Sequence, residues 1–215
     1  MPDFAIERRC RGIVCGIDEA GRGPLAGPVL AAAVILERDR FPKMLRRELD
    51  DSKVLAPDRR AGCYAALWRC VGRGSARIGV GAASVREIDR VNILRASLLA
   101  MARAVDALAV APDTALVDGG IAPPIACPVR TIVKGDAQSF SIAAASVVAK
   151  VTRDRIMKAL ARHYPGYGWE TNFGYATAEH GAALRRLGPT PHHRRSFAPV
   201  RSAACGDLPL FAALS

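Results

Sequence analysis

The chain has 215 residues, half of them hydrophobic, and a formal net charge of +11. That length suffices for one sizeable core with or without a small appendage, and the apolar content excludes a disordered chain. The excess of Lys and Arg favours a polyanion such as nucleic acid as partner, although a basic surface kept for solubility accounts for charge alone about as well.

Ile13 to Asp18 (IVCGID) reads as a short buried strand, and Pro28 to Leu36 (PVLAAAVIL) as a second, joined to the first by a glycine-rich turn. Asp51-Ser52-Lys53 comes next, then a helix from about Pro57 to Val71 with its proline well placed near the start. Ala76 to Ala82 gives a third strand. Ser84 and Glu87 have capping-box spacing for a short helix. From Asn92 to Leu108 the apolar residues Ile93, Leu94, Leu98, Met101, Val105 and Leu108 recur at helical spacing. Thr114 to Asp118 and Val129 to Val133 read as strands four and five, and a long helix runs from about Ser139 to His163. Tyr164 to Tyr175, with Pro165, Gly166, Gly168 and Gly174, reads as an irregular loop, Ala176 to Leu187 as a helix, and the residues after Pro189 as a basic and then apolar tail. Strands followed by strands alternating with helices predict an α/β sheet domain with a helical C-terminal extension.

The cysteines (Cys10, Cys15, Cys63, Cys70, Cys127 and Cys205) form no CxxC pair and have no histidine at zinc spacing, which points to reduced thiols. The N-terminus carries acids without a long apolar core and does not read as a signal peptide, and no run approaches the roughly 20 apolar residues that span a bilayer. The expected location is cytoplasmic, with no membrane partner.

The chemistry concentrates where predicted strands end in acids: Asp18-Glu19, Asp118 and Asp136. Neighbouring strand ends in one sheet can converge although the chain separates them. Four carboxylates at one point repel unless cations neutralise them, and Mg²⁺ or Mn²⁺ would do so while activating water and stabilising a departing oxygen. Taken singly, Asp118-Gly119 and Lys134-Gly135-Asp136 read as ordinary turns. The acids of the first turn strengthen the joint reading. Gly21-Arg22-Gly23 offers backbone N–H groups and close approach to a sugar-phosphate, and a backbone group meeting a 2′-hydroxyl can tell ribose from deoxyribose. Taken alone, Gly-Arg-Gly reads better as a plain turn between two strands. Lys53, Lys134, Lys150 and Arg153 are candidates for phosphate contacts, each alone reading as a solvated charge or a helix ion pair; Lys134 adjoins a candidate acid. Ser139, Ser141 and Ser146 sit where a helix start can bind phosphate, with capping and packing as alternatives. His163, His192 and His193 read as structural or surface residues, and Tyr164, Tyr167 and Trp169 as local packing.

An ordered set of motifs resembles the type 2 ribonuclease H (ribonuclease HII) family. GIDEAGRGPLAGPV (from Gly16) is similar to that family's first signature and DSKVL (Asp51–Leu55) to its second. VDG (Val117–Gly119), VKGDAQSFSIAAASVVAKVTRD (Val133–Asp154), YPGYGW with NFGYATAEH (Tyr164–His180), and GPTPHHRRSF (Gly188–Phe197) follow in the family's order. The resemblance implies an RNase H-like fold, a mixed five-stranded sheet flanked by helices, with a catalytic domain over residues 1–200, helical from about 155, and a flexible or docking tail at 201–215. It implies divalent-metal-dependent endonucleolytic cleavage of RNA in RNA–DNA hybrids, and incision 5′ to ribonucleotides embedded in duplex DNA, leaving 3′-hydroxyl and 5′-phosphate ends. By motif position, Asp18, Glu19, Asp118 and Asp136 match the family's metal-binding and catalytic acids. Gly21, Arg22 and Gly23 match its ribose-sensing turn, and Tyr175 the tyrosine that stacks near the junction sugar. His180 is expected to order the loop that carries Tyr175.

The chain departs from the family pattern at Phe173 and Val54, where lysines are usual, and at Ala176, where glycine is; these bear on phosphate contacts and substrate preference, not on the acids. Leu208, Leu210 and Phe211 resemble the peptide by which bacterial replication proteins dock into the sliding clamp, the alternative being cover for the chain's own apolar surface. Two rival readings are a type 3 ribonuclease H-like nuclease and a non-catalytic binder of hybrids or junctions. The dozen residues before the first strand argue against the first, whose family carries an extra N-terminal domain. The presence of all four acids argues against the second.

Overall fold

The computed structural model describes residues 1–49 and 55–205. Lys53, Val54, Leu208, Leu210 and Phe211 therefore lie outside the described residues. A mixed five-stranded sheet has the order β3-β2-β1-β4-β5, with β1 at Val14–Ala20, β2 at Val29–Leu36, β3 at Ala76–Ala83, β4 at Thr114–Asp118 and β5 at Val129–Ile132. β1 runs antiparallel to β2 and parallel to β4, and β4 runs parallel to β5. Every residue of β2 is buried, so it shows the continuous apolar run of a strand covered on both faces rather than an alternating pattern.

The helices are α1 (Ala5–Arg8), α2 (Lys43–Glu48), α3 (Pro57–Gly72), α4 (Val85–Asp106), α5 (Phe140–His163), α6 (Trp169–Asn172), α7 (Ala178–Leu187) and α8 (Ala198–Cys205). The capping box is formed: Glu87 Oε2 accepts from Ser84 N at 2.8 Å, and Ser84 Oγ accepts from Glu87 N at 3.3 Å. The two helical runs predicted on either side of Asn92 are one element with a kink. Asn92 adopts the left-handed region (φ 68°) and its Oδ1 accepts from Arg95 N, restarting the helix. Two short helices, α1 and α2, carry no signal in the sequence pattern. The region read as an irregular loop contains α6, and α8 occupies part of the basic and apolar tail.

By its internal contacts the chain divides into two compact units. The first comprises Met1–Ala20, Leu30–Ala82 and Ser97–Thr152; the second comprises Gly21–Val29, Ala83–Ala96 and Arg153 onward. In the first, Ala143, Ala144, Ala145 and Val147 to Ala149 of α5 pack in one cluster with Ala32, Val34 and Leu36 of β2, and Phe4, Phe41 and Phe140 meet with ring centroids 4.9–6.1 Å apart. Glu7 of α1 caps the start of α5, its Oε1 accepting from Ser139 Oγ at 2.7 Å and Ser141 N at 3.0 Å. In the second, one cluster joins Ala26, Met157, Tyr167, Trp169 and Ala183, and another joins Leu25, Leu184 and Val200. Cys10, Cys15, Cys63, Cys70 and Cys127 are free thiols. Among the described residues no helix is long and apolar enough to cross a membrane.

Candidate functional site

Parallel pairing of β1, β4 and β5 sets their carboxyl ends side by side. Ile17 pairs with Val117 and Asp118 pairs with Ile132, so Asp18 and Asp118 are the next residues along adjacent strands. The strand predicted to reach Val133 stops at Ile132, because Lys134 turns left-handed (φ 56°) and starts a 3₁₀ turn at Gly135–Ala137. That turn brings Asp136 back to the strand ends. Carboxylate oxygens of Asp18, Asp118 and Asp136 all lie within 4.8 Å of one another.

Each of the three carboxylates is held by hydrogen bonds. Asp18 Oδ1 accepts from Glu19 N at 2.6 Å, and the Ser146 hydroxyl of α5 bonds to the same carboxyl group. Asp118 Oδ1 accepts from Gly135 N at 2.7 Å, and Asp136 Oδ1 from Ala137 N at 3.0 Å. Asp18 is only 3% exposed. Burial pushes its pKa well above the usual carboxylate range, the charges of Glu19 and Asp118 push it further, and the bonds from Ser146 and Glu19 N oppose them. The half-buried Glu19 thus acts on Asp18 electrostatically, while its own oxygens stand outside the trio. Hard oxygen donors crowded at this spacing suit a hard divalent cation, whose charge would offset the repulsion that Asp18 experiences. The donor set therefore fits Mg²⁺ or Mn²⁺.

Gly21, Arg22, Gly23 and Tyr175 belong to the second unit, and the exposed Lys134 belongs to the first. Gly21 has φ 97°, open to glycine, and a β-carbon there would lie 2.0 Å from Arg153 Nε. Gly23 is near Tyr175: a β-carbon at Gly23 would stand 3.9 Å from Tyr175 Cε1. Arg22 is exposed, and Tyr175 is 42% exposed.

Arg153 is neither a phosphate contact nor a surface charge. It is 1% exposed, and its guanidinium donates to Pro28 O, Phe173 O and Ala26 O at 3.0–3.1 Å. Arg194, which carried no signal in the sequence reading beyond its place in the last motif, is fully buried. It donates to the carbonyls of Gly21, Arg22, Gly27 and Pro28 at 2.6–3.3 Å. Burial and then the Arg153 charge lower its pKa to about 9, against Asp89 and Tyr175. Arg194 thus gathers carbonyls of the glycine turn, while Arg153 ties Ala26 and Pro28 to Phe173 of the tyrosine loop, a fork of donors that guanidinium supplies and ammonium does not. Ser146, read from sequence as a phosphate donor or a packing residue, is buried and hydrogen-bonds the Asp18 carboxyl group.

A family model for ribonuclease HII matches residues 15–200. The chain is 60% identical over 200 residues to ribonuclease HII of Paramagnetospirillum magneticum, spanning 93% of this chain and 97% of that one. It is 57% identical over 203 residues to the Rhodospirillum rubrum enzyme of the same name, spanning 94% and 92%. In three dimensions it is similar to the crystal structure of ribonuclease H2 from Pyrococcus horikoshii OT3, with TM-score 0.73 and 26% identity over 91% of this chain and 98% of that one. The fold is also shared by Bst-RNase HIII in complex with Mn²⁺, with TM-score 0.73 and 21% identity over 90% and 69% of the two chains. Identity this high over nearly the full length of the relatives, on an RNase H-like sheet with its acids converging, places the chain in the ribonuclease HII family, as an endonuclease acting on RNA–DNA hybrids.

Proposed function

We propose that the enzyme also incises 5′ to single ribonucleotides embedded in duplex DNA, and that its products carry 3′-hydroxyl and 5′-phosphate ends. The observation that carries this reading is the meeting of Asp18, Asp118 and Asp136 oxygens within 4.8 Å at adjoining strand ends. In it, these three acids hold Mn²⁺ or Mg²⁺ and Glu19 completes the catalytic set. A bound divalent ion supplies charge stabilisation and an activated water. The chain's own part is to keep the acids from rotating: Ser146 and the N–H groups of Glu19, Gly135 and Ala137 fix their oxygens before substrate arrives. The Mn²⁺ complex of Bst-RNase HIII supports the choice of ion.

Gly21, Arg22 and Gly23 meet the ribose through the backbone in this reading, and Tyr175 stacks beside the sugar. The proximity of Gly23 to a partly exposed Tyr175 supports that pairing. Lys134, exposed beside Asp136, contacts a phosphate, and Lys53 is assigned the same role. Residues 1–200 serve as the catalytic domain in the cytoplasm, and Leu208, Leu210 and Phe211 dock a sliding clamp, a contact that deletion of the tail should abolish in a pulldown.

The test is D18N on a duplex with one ribonucleotide in Mg²⁺. Cleavage should fall by at least about a hundredfold, the scale of losing one transition-state contact, while hybrid binding persists. Cleavage near the wild-type rate would sink the assignment.

A further inference from the structure

We infer that His193 is a positioning residue that sets Tyr175 in place by acting through His180. The inference rests on the role proposed above for Tyr175.

Both imidazoles are shut away from solvent: His180 is fully buried and His193 is 1% exposed. Their hydrogen bonds run in one direction. Thr190 N donates to His193 Nδ1 at 3.0 Å. A backbone amide has no acceptor, so His193 Nδ1 carries no proton and Nε2 does. That Nε2 lies 3.1 Å from His180 Nε2 and donates to it. The Trp169 indole, a donor only, points at the same His180 Nε2 from 3.0 Å. His180 therefore accepts at Nε2 and carries its proton on Nδ1, which lies 2.8 Å from the Tyr175 carbonyl oxygen. The chain Thr190, His193, His180, Tyr175 has one consistent set of proton positions, in which both rings are neutral. Burial favours neutrality at both histidines, lowering their pKa values.

The receiving loop requires such support. Phe173 sits at φ 50° and Gly174 at φ 84°. A left-handed phenylalanine is strained and persists only where its surroundings over-determine the backbone. Tyr175 is 42% exposed, with Arg153 Cζ 5.9 Å from its ring centroid, and a shift of its main chain moves the ring with it. That main chain is gripped by Asn172 O at the Tyr175 amide, and by Thr177 N and His180 at the Tyr175 carbonyl. Removing His193 leaves His180 Nε2 short of one of its two donors and free to reverse its tautomer. A reversed His180 presents a bare nitrogen to the Tyr175 carbonyl, which repels it.

The test combines a spectroscopic and a kinetic reading. In ¹⁵N–¹H spectra of histidine-labelled enzyme, the proton should sit on Nδ1 of His180 and on Nε2 of His193; the opposite pair overturns the inference by itself. H193F and H193Q are then assayed, each alone and combined with Y175A, on a duplex with one ribonucleotide. H193F should lower kcat/KM about tenfold or more, the scale of a misplaced contact. H193Q, which keeps an acceptor and a donor, should restore most of that loss. In the Y175A background H193F should have little further effect. An equal loss in both backgrounds overturns the inference, because His193 would then act without Tyr175. If Y175A by itself leaves cleavage and sugar preference unchanged, the role of Tyr175 fails and this inference falls with it, even if the proton positions are as stated.

Discussion

Protonation of His193 is opposed first by its burial and then by the neighbouring His180 and His192, which hold its pKa down at about 3. In the unfolded chain the same ring takes up a proton near pH 6.5. Between those values the unfolded state binds more protons than the folded one, so the contribution of His193 is intact above about pH 6.5 and is lost as the pH falls toward 3. The melting temperature should drop between pH 7 and pH 5, and H193Q should reduce that drop; an equal drop in both proteins would remove His193 from the explanation. Single residues also show where reading by type goes astray. Arg153 reads in sequence as a phosphate contact or surface charge, because buried guanidinium is rare, and Arg194 gives no signal beyond its motif. Their partners are main-chain carbonyls at positions 21–28 and 173, which no composition or spacing announces.

At the scale of elements, β1 and α5 meet at Gly16. A β-carbon there would lie 2.1 Å from the carbonyl carbon of Ser141 and 2.3 Å from Ile142 N. Backbone cannot step aside as a side chain can, so Gly16→Ala should destabilise the fold by about 1–3 kcal/mol or more, seen as a lower melting temperature. An unchanged melting temperature would show that α5 does not pack this closely. Elements governed by local signals were legible. The Ser84–Glu87 box, Pro57 at a helix start and the buried run of β2 all hold, because capping, φ restriction and apolar runs act within a few residues. Helices of four to eight residues were not legible. α1 is too short for periodicity, and it exists through Phe4 against Phe41 and Phe140 and through Glu7 capping α5, more than 130 residues away.

For the whole molecule, the net charge of +11 should make hybrid binding strongly salt-dependent. If about four phosphates are neutralised, the logarithm of affinity falls against the logarithm of salt with slope about −3.6, roughly a hundredfold between about 50 and 200 mM. Titration of cleavage-dead D18N with a labelled hybrid measures that slope, and a slope near zero would separate the basic charge from binding. The sequence by itself determined the order of strands and long helices, the four acids and the ordered motifs, since periodicity, turns and signature spacing are properties of neighbouring residues. Only the tertiary structure decided that Asp18, Asp118 and Asp136 meet, that Glu19 acts on Asp18 from outside the trio, and that Arg194 and His180 reach the main-chain carbonyls of the glycine turn and of Tyr175. The physical reason is that strand pairing and buried hydrogen bonds join residues more than a hundred positions apart, and their partners are main-chain groups that every residue carries alike.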